Sequence, residues 1–174
     1  VGDAVKQFTI HPCHDPVFLP AALCAGRLQG GGGVAMSEHG ADFLAGLPRQ
    51  PRLLVVDDQA IQIQVLYRAL APDCQVLMAT TGEAALRLCH ERQPDLVLLD
   101  VEMPGMDGFD VLRQLKTDPA TRELPVIFVT GHSSDDVESR CLEAGGVDFI
   151  SKPINPRVVR SRVKTHLMLK FQSD

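Results

Sequence analysis

A chain of 174 residues, 45% of them hydrophobic, has room for one ordinary domain and some additional sequence. A formal net charge of -5 argues against nucleic acid as the main partner. No apolar run reaches the roughly 18 residues of a membrane span, and five scattered cysteines fit reduced cytoplasmic thiols better than a disulfide framework.

Residues 1–50 show no sustained helical or strand period and are predicted to form a flexible tail. They contain Pro12, Pro16, Pro20, Pro48 and the glycine run from Gly30 to Gly33, whose ordering would cost much entropy. Met36, just after the glycines, is a candidate natural start. VFLPAALCAG at 17–26 is too short and too broken by Pro20 for a secretory signal, and HPCH at 11–14 lacks a second ligand cluster for a metal.

From residue 52 the pattern becomes regular. The first strand is predicted at 52–56 (RLLVV), followed by a helix over 59–70 with Ile61, Val65, Leu66, Ala69 and Leu70 on one side. A strand at 75–79 (QVLMA) leads to a helix at 82–91, its apolar side marked by Ala85, Leu86, Leu88 and Cys89. The third strand, 95–99 (DLVLL), delivers Asp100; after it Asp107 caps a helix marked by Phe109, Leu112 and Leu115. The fourth strand, 125–129 (PVIFV), precedes a helix with Val137, Cys141 and Leu142. The fifth, 147–150 (VDFI), precedes a helix with Asn155 as N-cap, Pro156 in its first turn and Val159, Val163 and Leu167 on its inner side.

Strands alternating with helices imply βαβ units and a parallel sheet. Strands one, three and four are almost wholly apolar, as expected when helices cover both faces. The fold class is therefore α/β: a flavodoxin-like, doubly wound, five-stranded parallel sheet in the order 2-1-3-4-5. Ligands bind such a sheet at the carboxyl ends of its strands, beside strands one and three.

Strand one ends in Asp57-Asp58 and strand three in Asp100, so the topology gathers three carboxylates. They repel one another unless a cation joins them. Hard oxygen ligands without His or Cys select Mg²⁺, with Mn²⁺ able to substitute, over a zinc centre. Thr130 at the end of strand four and Lys152 after strand five face the same edge. Three acids, a hydroxyl and a lysine around a divalent ion suit an aspartate that accepts a phosphoryl group.

This constellation resembles the receiver domain of two-component response regulators. The resemblance covers about residues 51–170 and rests on LLVVDD (53–58), LVLLDVEMPGMDG (96–108), VIFVTGH (126–132) and DFISKP (148–153). It implies that Asp100 is the phospho-acceptor, receiving its phosphoryl group from a histidine kinase or phosphotransfer protein. Asp58, Asp100 and the Glu102 carbonyl would ligate Mg²⁺, with Asp57 acting mainly through water. Thr130 would bond the phosphoryl oxygen, Lys152 would pair with Asp100, and the Lys152–Pro153 bond would be cis. Phe149 matches the switch aromatic, and Glu102 and His132 occupy positions that tune dephosphorylation. Gly146-Val147 departs from the commoner Ala-Asp.

The resemblance further implies a phospho-acceptor signalling domain in the cytoplasm, not an enzyme in its own right. Acidic residues opening helix four (Asp135, Asp136, Glu138) and arginines on helix five suit a homodimer through helix four, strand five and helix five. Residues 171–174 read as the start of a linker or tail, as in receivers joined to diguanylate cyclase or HD-GYP phosphodiesterase output domains. Two other classes stay open: a phosphorylation-independent interaction module on this fold, and an aspartyl-nucleophile phosphatase of the haloacid-dehalogenase type, for whose cap insertion the chain has little room. Structural readings stand beside the functional ones: Asp58 as a helix cap, and Arg157, Arg160, Arg162 and Lys164 as a solvated face, not a nucleic-acid surface.

Overall fold

The computed structural model describes residues 44, 46–131 and 135–173, apart from the side chain of Asp135. Its elements alternate without exception: β1 (Arg52–Val56), α1 (Ala60–Leu70), β2 (Gln75–Ala79), α2 (Gly82–Arg92), β3 (Leu96–Asp100), α3 (Gly108–Thr117), β4 (Val126–Thr130), α4 (Asp135–Glu143), β5 (Asp148–Ser151) and α5 (Pro156–Ser173). The strands form one parallel sheet in the order β2-β1-β3-β4-β5.

The pleat divides each central strand between two cores. Leu53, Val55, Leu96, Leu98, Ile127 and Val129 meet α1 and α5 on one face. Leu54, Val56, Val97, Leu99, Val126 and Phe128 meet α2, α3 and Cys141 of α4 on the other. Burial on both faces explains why β3 and β4 read as unbroken apolar runs. Cys74, Cys89 and Cys141 are buried free thiols, and desolvation pushes the first two up to about 12. They are core residues, not nucleophiles.

Helix ends follow local chemistry. The Thr81 hydroxyl caps α2 by accepting from the Ala84 N–H at 3.2 Å, and Asp107 caps α3 by accepting from the Asp110 N–H at 2.8 Å. Asn155 accepts from the Arg157 N–H at 3.0 Å, as the Asn-Pro start predicts. Asp58 does not cap α1: Gln59 holds the N-cap position without a side-chain bond.

Three expectations change. Ile61 is 62% exposed, and Ile63 takes its place in the core with Leu66, Ala69 and Leu70. Ile61 and Ile63 are both apolar, so the sequence period did not choose between them. Leu142, expected on the inner side of α4, is also exposed, leaving Cys141 as the fully buried residue among those described in that helix. The packed body is also larger than residues 51–170. Leu44 is buried, Leu47 packs on the α1–α5 core, and α5 continues to Ser173 with Phe171 against that core. Burial of these apolar side chains outweighs the tail character read from Pro48 and the upstream glycines. Met36, HPCH, the glycine run, Cys13 and Cys24 lie outside the described residues.

At Gly146 an added Cβ would lie 2.8 Å from the Cys141 carbonyl oxygen and 2.9 Å from the Phe128 ring. The Cys141 carbonyl and the Phe128 ring together therefore leave no room for the alanine commonly expected in this loop.

Candidate functional site

β1 and β3 are neighbours in the sheet, so the residues at their carboxyl ends meet. Asp57 and Asp100 are each only 1% exposed, while Asp58 faces solvent. One carboxylate oxygen from each of the three lies within 4.8 Å of the other two.

Hydrogen bonds aim the buried pair. Asp57 Oδ1 accepts from the Gln59 N–H at 2.8 Å, a local turn at the entry to α1. Asp100 Oδ1 accepts from the Glu102 N–H at 3.2 Å, and its Oδ2 from Lys152 Nζ at 3.1 Å. The same ammonium lies 3.1 Å from Asp57 Oδ2. That approach pairs the charges but is not aligned for a hydrogen bond, so Asp57 Oδ2 stays buried without one. A buried carboxylate oxygen in this condition, beside two more acids, fits a hard cation.

Burial, first, and the Asp57 charge, second, push Asp100 above the usual carboxylate range; Lys152 and the Glu102 N–H oppose this only partly. Burial disfavours the Lys152 charge as well, but the neighbouring carboxylates outweigh it and hold Lys152 above its ordinary value. Lys152 follows β5 directly, its N–H donating to the Thr130 carbonyl at 2.7 Å, and the Lys152–Pro153 bond is cis as expected.

Thr130 is buried at the carboxyl end of β4, one residue past Val129, the register partner of Asp100. Phe149 on β5 is partly buried, with the Arg162 guanidinium 5.8 Å from its ring centre. Glu102 is exposed on the loop after β3, and His132 lies outside the described residues. The motif after Asp100 is a scaffold. Gly105 takes φ +80° after Pro104, and the Gly108 N–H donates to the Val101 carbonyl at 3.0 Å. The Glu102 N–H bond to Asp100 had no signal in the sequence, because it depends on how that loop turns back.

Two arginines of α5, Arg160 and Arg162, are engaged within the domain. Arg160 pairs with Asp73 at 2.7 Å and donates to the Ala69 carbonyl, while Arg162 pairs with Asp148, which His166 also contacts at 3.0 Å. These links tie α5 to α1 and β5.

The parallel five-stranded sheet thus carries a buried Asp pair, a third acid and a lysine at its carboxyl edge. The profile of the response regulator receiver domain family matches residues 53–164, and the chain belongs to that family. It is 39% identical over 125 residues to a probable cyclic di-GMP phosphodiesterase of Vibrio cholerae, covering 72% of this chain and 28% of that protein. It is 40% identical over 124 residues to the response regulator PleD of Caulobacter vibrioides, covering 71% of this chain and 27% of PleD. The chain thus spans under a third of the length of these relatives. Among solved structures, the receiver domain of a LuxO repressor from Vibrio parahaemolyticus superposes with TM-score 0.68 at 28% identity, covering 72% of this chain and 96% of that one. The beryllofluoride-activated DrrB receiver gives TM-score 0.62 at 32% identity, covering 69% and 99%. Among the described residues no helix is long and apolar enough to cross a membrane.

Proposed function

We propose that this receiver accepts a phosphoryl group on Asp100 from a histidine kinase or phosphotransfer protein, in a Mg²⁺-dependent reaction. The observation that carries this reading is the set Asp57, Asp58, Asp100 and Lys152 at one edge of the sheet. Asp58, Asp100 and the Glu102 carbonyl would hold the ion, with Asp57 acting through water. When bound, the ion would neutralise the crowded carboxylates and the incoming phosphoryl oxygens.

The chain supplies the rest. The Glu102 N–H and Lys152 fix the Asp100 carboxylate through one oxygen each. An Asp100 oxygen attacks phosphorus in line, and the bond from phosphorus to the donor histidine nitrogen breaks with its electron pair left on the imidazole. Lys152, held cationic by its neighbours, offsets charge on the phosphoryl oxygens. The Thr130 hydroxyl then bonds the new phosphoryl group, while Glu102 and His132 set how readily water removes it.

Incubation of the full chain with acetyl phosphate and Mg²⁺ should add one phosphoryl group, mapped by mass spectrometry to Asp100. Mn²⁺ should also support the reaction, and EDTA should abolish it. No incorporation, or incorporation on another residue, would return the chain to the class of phosphorylation-independent interaction modules.

The signal travels as a two-state change. Thr130 moving toward the phosphoryl group vacates space for Phe149, and the face of α4, β5 and α5 changes shape. Arg162 already contacts the Phe149 ring from α5, so a turn of the ring is felt on that helix. This face would pair two phosphorylated copies or engage an output domain in a longer protein in the cytoplasm. Sedimentation velocity should show a monomer alone and a dimer with beryllofluoride; a monomer in both states counts against the dimer.

A further inference from the structure

The segment that enters β1 grips the far end of the domain. Arg49 makes a two-pronged contact with Asp95, at 2.8 and 2.6 Å, and Asp95 is 2% exposed. The Arg52 N–H also donates to Asp95 at 2.8 Å, so this carboxylate ties the approach segment to the start of β3. The Arg49 guanidinium lies 5.1 Å from the centre of the Phe171 ring in the last turn of α5. Leu44 and Leu47 pack on the same core as Val163, Leu167 and Phe171.

A planar guanidinium satisfies a carboxylate edge-on and an aromatic ring face-on at once, which an ammonium does not. Arg49 therefore joins three pieces distant in sequence: the approach to β1, the start of β3 and the end of α5. The Asp100 site lies at the opposite, carboxyl end of β3. We propose that Leu44, Leu47 and Arg49 form a strap that locks the C-terminal turn of α5 to the base of the sheet. The strap sets the direction in which the chain leaves the folded body at Ser173. The segment upstream of the receiver and the one downstream are then coupled at one pole, independently of phosphorylation chemistry.

The test is hydrogen exchange on the full chain, comparing Arg49→Ala and Phe171→Leu with the parent. Phe171→Leu keeps apolar packing and removes the ring face, so it leaves the Asp95 ion pair in place. Amides of residues 168–173 should exchange severalfold faster in Arg49→Ala and by a smaller factor in Phe171→Leu. In Phe171→Leu, which keeps the ion pair, protection in β1 and β3 and phosphoryl uptake from acetyl phosphate should stay at parent level. Unchanged exchange at 168–173 in both variants would overturn the strap. A uniform rise across the domain in Phe171→Leu would also overturn it, showing a general stabilising contact and no local lock.

Discussion

Asp100→Asn should lose all phosphoryl uptake from acetyl phosphate and yet unfold at a higher temperature than the parent in EDTA at pH 7. The reason is the site's own electrostatics. Asp100 is buried beside Asp57, and both burial and that neighbouring charge disfavour its ionised form. Its folded-state pKa is raised above the unfolded value near 3.8, so the charged form costs stability wherever the pH exceeds the folded pKa. That cost vanishes as pH falls through the folded pKa toward the unfolded one, because the folded state then takes up the proton more readily. The neutral amide avoids the cost at every pH. The gain should be on the order of 1 kcal/mol at pH 7, or roughly 4 °C in a domain of this size. It should shrink steadily on acidification. Added Mg²⁺ should narrow it from the other side, since the ion stabilises only a folded state that binds it. A variant that melts with or below the parent in EDTA would show that the carboxylate pair is not the source of strain. A variant that melts higher in EDTA would mark Asp100 as a site where function and stability oppose each other.

Gly108→Ala should be the most damaging of the small changes near the site. A Cβ at this position would lie 2.3 Å from the Asp100 carbonyl oxygen and 3.0 Å from the Val101 Cα. These are backbone atoms at the end of a buried strand, so nothing nearby can swing aside. Either α3 moves away from β3 or the chain after Asp100 shifts, and the second alters the aim of the acceptor. We expect a loss of about 3 kcal/mol in stability and slower phosphoryl uptake in the molecules still folded. Gly105→Ala is the control. There φ is +80° with nothing within 4 Å of the added carbon, so only local backbone strain of about 1 kcal/mol is expected. Denaturant titration of the two variants separates the cases; equal tolerance of both would contradict the close approach of α3 to β3.

The contrast between these two glycines shows where reading the sequence stops. Both belong to one short motif, MPGMDG, where nothing in the sequence tells their roles apart. Only the structure shows that Gly105 answers to its own backbone angle and Gly108 to a strand packed against it. A parallel sheet, by contrast, was legible from the alternation of apolar runs with helical periods, its order from the five-strand length, and the acidic edge followed from Asp57-Asp58 after strand one and Asp100 at the end of strand three. These signals are local. A strand buried on both faces must be apolar throughout, and a carboxylate after it stands out.

What the sequence determined by itself was the class of fold and the strand-end position of Asp57, Asp58, Asp100 and Lys152 at one edge of the sheet, because short-range periodicity encodes them. What only the tertiary structure decided was which oxygen each donor reaches, that Asp58 does not cap α1, that Ile63 and not Ile61 enters the core, and that Arg49 binds Asp95 and covers Phe171. Arg49 and Asp95 lie 46 residues apart, and Arg49 and Phe171 are farther apart still. Such contacts leave no periodic trace, since each forms only after the sheet and α5 have brought distant segments together.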